Sequence, residues 1–383
     1  MWQTEEPGSS LAYRPTWRGG RMANNISCSV QSYQKGYTTI IPLLPLHPLC
    51  FDNGSSYDWL RKSSFLAASS SKNSKQHNVN ILQWHWPYDN VLNFSQDICW
   101  KHFGIPNCEV KVVTQRSLFS EADVVVFFNR ELRINKEKLP LKLPRPPGQR
   151  WAWISMEASV RNGDRRRFAG LFKLTVNFRR DTDVSIPYGG LLPEDSKKPM
   201  KNIQWKKTDL VCWVVRNYQE SYKRSQVYKE LSSVVPVKVY GQWTNVPLAP
   251  KNLLPTLSRC YFYLAFENTI AKDYISEKLW RNSYQSGAVP VVLGASVQDY
   301  EVVAPPHSFI HVDQFASVKE LGKYLQQLAG DVKHYRVYLQ WRREWKVELH
   351  NDLKWRLCQI CLQYPSFPPY KVYDDREAWD NAV

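Results

Sequence analysis

The sequence predicts an α/β fold in which two parallel-sheet units share one chain. Three observations lead there. The stretch 261–294 reads as strand, helix, strand: apolar, β-rich runs at 261–266 and 288–293 flank a polar turn and a short amphipathic segment. Further apolar runs recur upstream and downstream at helix-length spacings, an alternation that favours a parallel α/β layer over an all-β domain. A charged stretch at 193–207, rich in lysine and broken by Pro193 and Pro199, separates the two sets and marks a domain boundary.

In chain order, residues 1–78 are rich in Ser, Asn, Gly and Pro without periodicity and read as a stem lacking regular structure. Order begins with a strand at 78–84 that ends in Trp84-His85-Trp86-Pro87. A helical turn at 117–122 leads into the continuous apolar run 123–128, the pattern of a strand buried on both faces, which ends at Asn129-Arg130-Glu131. Strands follow at 150–155, ending at Met156-Glu157, and at 171–178, then a turn at 187–190. After the boundary come a strand at 209–215, a helix at 221–234, a strand at 237–240, the 261–294 unit, a strand at 309–312, and helices at 318–328 and 335–349. Within the 261–294 unit, Ser276 is the expected N-cap and Gly287 the helix end. An aromatic, proline-bearing tail runs from Cys358 and is expected to pack back on the first domain. The domains are therefore read as 79–200, 201–357 and a tail, 358–383.

The chain has 383 residues with 51 Lys+Arg against 35 Asp+Glu, so its partner is expected to be anionic. No long basic tail or nucleic-acid motif accompanies the charge, which argues against a nucleic-acid binder. The apolar run 38–51 is shorter than the roughly 20 residues a membrane helix needs and contains Pro42, Pro45 and Pro48. No cleavable leader is read at the amino terminus, which leaves a cytosolic chain or a lost or replaced first exon. Eight cysteines permit full pairing without fixing connectivity. Asn-X-Ser/Thr matches at Asn25, Asn53 and Asn93 are compatible with a secretory route.

Neither GxGxxG nor GxxxxGK[ST] occurs, so a diphosphate would have to be held by cationic side chains and helix amino termini. Arg224, seven residues beyond Asn217, and Lys278, in the first turn of its helix, meet that need at the carboxyl ends of strands, where parallel α/β sheets bind ligands. Glu267 and Glu277 lie at the same edge. Glu157 closes an apolar strand and is the candidate base, since a sugar hydroxyl becomes a good nucleophile only as its proton is removed.

These residues resemble the α1,3/4-fucosyltransferase family. The carrying motifs are Phe266-Glu267-Asn268, then 273–282 (DYISEKLWRN), then 287–294 (GAVPVVLG). Trp84-His85-Trp86-Pro87, 153–157 (WISME), Arg180-Asp181-Thr182-Asp183 and Pro187-Tyr188-Gly189 extend the likeness from residue 78 to the carboxyl end. Ser155-Met156-Glu157, 217–220 (NYQE) and Arg130-Glu131-Leu132 look most like its leukocyte-type branch.

The resemblance implies a GT-B-type fold, two Rossmann-like domains facing a central cleft, with the acceptor domain first and the GDP-fucose domain second. It implies inverting transfer of fucose from GDP-fucose to N-acetyllactosamine, sialylated, on a glycoprotein or glycolipid. No metal is needed for the chemistry, and a divalent cation is at most stimulatory. Glu157 matches the base, Arg224 and Lys278 the diphosphate ligands, and Asn217, Tyr263, Glu267 and Glu277 the lining of the nucleotide or fucose. Trp86 and Arg130 match acceptor positions. The same resemblance implies that Cys99 and Cys108 pair with Cys358 and Cys361, and Cys212 with Cys260, in a type II protein of the Golgi lumen. Arg216, Phe128-Asn129 and Ala158-Ser159 depart from the family pattern, and Arg216 with the altered loop after Glu157 motivates one alternative, a catalytically weak paralogue that binds glycan or nucleotide.

Overall fold

Two all-parallel sheets and one small antiparallel ribbon make up the described part of the protein, a computed structural model covering residues 78–194 and 207–367 except 90, 92–94, 96 and 112. Asn25, Asn53 and Asn93 lie outside the described residues. All described residues fall in one compact unit, Phe51–Val383.

The first sheet contains β1 (Val79–Gln83), β2 (Cys108–Lys111), β3 (Val124–Phe128), β4 (Arg150–Ile154), β5 (Leu174–Asn177) and β6 (Val184–Ser185), in the order β2-β1-β3-β4-β5-β6. Every residue of β3 is buried, because period-two alternation sends its side chains into two different cores. Val124, Val126 and Phe128 join Ile98, Leu357 and Ile360 on one face. Val125 and Phe127 join Trp84, Trp151 and Phe172 on the other. The unbroken apolar run in the sequence is thus a strand covered on both sides.

After the ribbon strand β7 (Gly189–Pro193), the second sheet contains β8 (Asp209–Val214), β9 (Val237–Tyr240), β10 (Cys260–Phe266), β11 (Val289–Leu293) and β12 (Ile310–His311), in the order β12-β11-β10-β8-β9. Helices Lys223–Ser232 and Val318–Gly330 cover one face through Val227, Leu231, Leu321 and Leu325. The segment Lys278–Gln285 covers the other with Leu279, Trp280 and Tyr284. Among the described residues no helix is long and apolar enough to cross a membrane.

In each sheet the chain reverses its direction of growth once. β1 lies between β2 and β3, and β8 lies between β9 and β10. Loops diverge at such switch points and leave a crevice at the carboxyl ends of the strands, which is where ligands sit in open parallel sheets.

The helix expected at 335–349 is not one element. The chain forms a helix at Val332–Val337, a 3-10 turn at Gln340–Arg343 and then β13 (Trp345–Leu349), which pairs antiparallel with β7. Trp341 and Trp345 anchor this path in the core beside Trp280 and Tyr284, so side-chain burial overrides local helix propensity. The turn expected at 187–190 likewise feeds directly into β7. Its first residue must be glycine, since a Cβ at Gly189 would lie 2.7 Å from Trp280 and 2.8 Å from the Glu348 carbonyl.

The segment after β13 forms a helix, Leu353–Gln363, whose Leu357 and Ile360 enter the first sheet's core. Disulfides Cys99–Cys358 and Cys108–Cys361 fasten it there, and Cys212–Cys260 joins β8 to β10. Across the two sheets, Arg180 contacts Asp273 and Asp299 at 2.5 Å each, and Phe178 packs on Tyr274 with ring centroids 4.9 Å apart.

Candidate active site

The switch point of the first sheet opens into a cleft of about 420 Å³. The ends of three strands line it: Tyr88 beyond β1, Asn129, Arg130 and Glu131 beyond β3, and Ser155, Met156 and Glu157 beyond β4. Arg161 closes one side, and Asn351 and Arg356, from the segment around the disulfide-held helix, close another.

Glu157 is partly exposed, while its main chain is fixed from both sides. Its amide donates to Ser155 Oγ (3.2 Å), and its carbonyl accepts from Asn162 Nδ2 (3.4 Å). Ser155 Oγ in turn donates to Asn162 Oδ1 (2.6 Å). Asn129 accepts from Trp153 Nε1 (3.0 Å) and donates to Asn162 (3.1 Å). Asn129, a departure from the family pattern, is therefore buried in the scaffold under Glu157.

Arg130 reaches the same cleft. Its guanidinium lies 4.4 Å from the Tyr88 ring centroid and donates to Glu131 Oε1 (2.8 Å). Trp86 is not among the residues lining this cavity. The sequence reading missed Arg133, Arg161, Asn351 and Arg356. Nothing local marks them, since only the folded path of the C-terminal helix brings Asn351 and Arg356 to an edge of the first sheet. Burial lowers the Arg356 pKa, opposed by Tyr188 and Asp352, and its Nε donates to the His350 carbonyl (3.0 Å). Four arginines (130, 133, 161 and 356) thus surround a surface holding the carboxylates of Glu157 and Glu131.

The switch point of the second sheet carries the other candidates. Asn217 follows β8, and its carbonyl accepts a hydrogen bond from Arg224 Nη2; the helix begins only at Lys223, so a loop carbonyl and not a shared helical face brings the two together. Burial lowers the Arg224 pKa, with Glu267 opposing, and its buried Nε has no partner among the described residues. Tyr222 stands between the sheets: Arg161 donates to its hydroxyl (3.3 Å), and the Arg224 guanidinium lies 5.6 Å from its ring.

Glu267, at the end of β10, is 3% exposed and accepts three hydrogen bonds: Ser276 N (2.8 Å), Ser276 Oγ (2.9 Å) and Lys278 Nζ (2.8 Å). Lys278 also donates to Ser276 Oγ (2.7 Å) and lies 3.6 Å from Glu277. Burial would lower the Lys278 pKa, but the carboxylates of Glu267 and Glu277 more than offset it, so the ammonium stays charged. Burial opposes ionisation of Glu277, and Lys278, hydrogen bonds from the Glu277 amide and Ser276, and Arg281 together outweigh it, so its pKa is lowered. Gly294 admits this cluster, because a Cβ there would meet Glu267 at 2.8 Å.

Ser276 is not the N-cap. Glu277 takes that place: the Ser276 hydroxyl donates to Glu267 and accepts from Lys278 Nζ, and the following segment Lys278–Gln285 is a π-helix. Wide-turn segments of this kind concentrate at functional sites. Tyr263 is fully buried between β10 and that helix, its hydroxyl accepting from Asn282 (3.0 Å), so it supports the edge from within the core.

Among the described residues, Asp209, Cys212 and Cys260 come close enough to suggest a metal site. Their chemistry does not suit one, since the two sulfurs form a disulfide and Asp209 is paired with Lys238.

Comparison with known proteins fits this geometry. A family model described as "Glycosyltransferase family 10 (fucosyltransferase) C-term" matches residues 204–379, and "Fucosyltransferase, N-terminal" matches residues 76–189. The chain is 41% identical over 308 residues to "Alpha-(1,3)-fucosyltransferase 7" of Rattus norvegicus, covering 80% of this chain and 81% of the relative. It is 37% identical over 310 residues to "4-galactosyl-N-acetylglucosaminide 3-alpha-L-fucosyltransferase 9" of Mus musculus, covering 81% and 84%. The fold matches a crystal structure of an alpha1,3-fucosyltransferase with GDP-fucose at a TM-score of 0.50 and 15% identity, covering 80% of this chain and 95% of that one. Two parallel sheets with facing switch points are the GT-B architecture, and the chain belongs to glycosyltransferase family 10, the fucosyltransferases.

Proposed function

We propose that this chain is an α1,3-fucosyltransferase that moves fucose from GDP-fucose to the GlcNAc of N-acetyllactosamine, with inversion at the sugar. The observation that carries the reading is the position of Glu157. It ends β4 in an arginine-ringed cleft, and Tyr222 links that cleft to the Arg224 edge of the other sheet. In the reaction the Glu157 carboxylate takes the proton of the acceptor hydroxyl as its oxygen bonds to fucose C1. The bond from C1 to the diphosphate oxygen breaks, and GDP leaves with the electron pair. Arg224 and Lys278 offset the charge gathered on the diphosphate, and Asn217, Tyr263, Glu267 and Glu277 shape or support the nucleotide and fucose pocket.

Residues 79–200 then form the acceptor domain and 201–357 the donor domain, with the tail that starts at 358 joined to the first through Cys358 and Cys361 and 1–78 as stem. Arg130 and Trp86 contact the acceptor, and the excess of arginine in the cleft suits a sialylated chain on a glycoprotein or glycolipid. The setting is the Golgi lumen, which agrees with three disulfides. The catalytically weak alternative loses part of its motive, because Arg216 turns to Gln242 (3.0 Å) at the surface.

Transfer of labelled fucose from GDP-fucose to sialylated and neutral N-acetyllactosamine, with and without a chelator, tests the reading. Transfer that is faster onto the sialylated acceptor and survives chelation supports it. Absence of transfer by a protein that binds GDP would favour the weak paralogue.

A further inference from the structure

Tyr88 does not behave as a core aromatic. It is 61% exposed, yet it holds a left-handed backbone conformation with φ 56° and ψ 27°. That conformation is unfavourable for a bulky L-residue and persists only where surrounding contacts enforce it. Three contacts do so. The Tyr88 amide donates to Glu131 Oε1 (2.9 Å), a carboxylate that is 1% exposed. Arg130 donates to that same oxygen (2.8 Å) and lays its guanidinium 4.4 Å from the Tyr88 ring centroid. The side chain that results lines the same cleft as Glu157, where the Glu157 charge adds to burial in raising the phenol's pKa. An exposed tyrosine kept in a strained conformation contributes little to stability by burial, so the strain serves the cleft that the side chain lines.

We propose that Tyr88 is a positioning residue for the base: anchored by Glu131 and Arg130, its hydroxyl aims the Glu157 carboxylate at the acceptor hydroxyl. This rests on the assignment of Glu157 as base. The Glu157 main chain is fixed by Ser155 and Asn162, but the carboxylate lies beyond that scaffold and its torsions need a partner of their own. Tyr88 supplies one that donates without taking the proton. Burial and then the Glu157 charge raise the phenol's pKa, so it remains a protonated donor at neutral pH. Arg130 is thereby joined to the base through the ring it covers, and an acceptor that moves Arg130 also moves the group that aims Glu157.

Tyr88→Phe tests this, because it keeps the ring, the Arg130 contact and the Glu131 anchor and removes only the hydroxyl. The expected result is a fall of about fivefold in kcat, the loss of roughly one hydrogen bond made in the transition state. KM for both substrates, GDP affinity and Tm should stay within about twofold or 1 °C of wild type, whereas a merely structural role would move Tm. In the Glu157→Gln background the same substitution should change the residual rate by less than about twofold, since its target is gone. A kcat equal to wild type in Tyr88→Phe, or an equal fall in both backgrounds, overturns the proposal. If Glu157→Gln alone keeps full activity, the base assignment fails first and this inference fails with it, an outcome distinct from the previous two.

Discussion

The two switch points differ in how their charges are kept. At the first, Glu157 faces an open cleft, its backbone braced by neutral groups and its surroundings dominated by arginines. At the second, Lys278 is 15% exposed and already paired with Glu267 and Glu277, and the buried Glu267 accepts three hydrogen bonds. One edge leaves its reactive carboxylate available; the other completes its ion pairs before any ligand arrives. A base needs access to its substrate, whereas a diphosphate site gains from groups whose ordering has been met during folding. Under the proposed function, turnover belongs to the first edge and donor affinity, with much of the stability, to the second.

The largest effect should come from the open edge. Glu157→Gln is expected to lower kcat about 10²- to 10⁴-fold while leaving Tm within about 1 °C, because the carboxylate carries no buried pair. Steady-state kinetics alongside a melting curve would show it, and a large drop in Tm would erase the contrast.

Lys278→Met should do the reverse. It strands the buried Glu267 and is expected to cost about 3–5 kcal/mol in chemical denaturation, in addition to weaker GDP binding. A variant as stable as wild type would mean that Glu267 is not ionised beside Lys278.

The disulfides sharpen the comparison from the other end of the chain. Replacing Cys99 and Cys358 with Ser should cost about 2–5 kcal/mol and raise KM for the acceptor more than for GDP-fucose, because the helix it releases carries Arg356 into the first cleft. Equal change in both KM values would place that helix outside acceptor binding.

The smallest effect concerns pH. Lys207, at the base of the second sheet, donates to the Ser258 and Gly287 carbonyls at 2.8 Å each, and burial, then Arg342, pushes its pKa down to about 8. Between pH 8 and the ordinary lysine value of 10.5 the unfolded chain binds the extra proton, so Lys207 makes stability rise with pH across that window. Denaturation at pH 8 and pH 10 should give a shallower rise in Lys207→Met than in wild type.

Much of this arrangement was legible in the sequence where one physical cause dominates. β3, β4, β8, β10 and β11 are apolar on both faces and announce themselves as buried parallel strands. Arg224 and Asn217 do meet, but through the Asn217 main-chain carbonyl in the loop before the helix and not through the helical spacing expected of them. The β7–β13 ribbon was hidden, because both strands are short and partly exposed and each is completed by a partner far along the chain. Ser276 does not cap the helix because its hydroxyl is built into the Glu267–Lys278 cluster, donating to the carboxylate and accepting from the ammonium. Glu157 and Arg130 were visible at strand ends, but Tyr88, Arg161 and Arg356 were not. Their roles depend on a left-handed turn, an inter-sheet contact and a disulfide-held helix, none of which has a local signature.

Calorimetric titration of GDP into wild type, Glu157→Gln and Arg224→Ala tests the division of labour most directly. The account predicts equal affinity for the first two and binding at least about tenfold weaker for Arg224→Ala, whose buried guanidinium is the cation linked to the Asn217 carbonyl at the donor edge. Weakened binding in Glu157→Gln with affinity preserved in Arg224→Ala would contradict it.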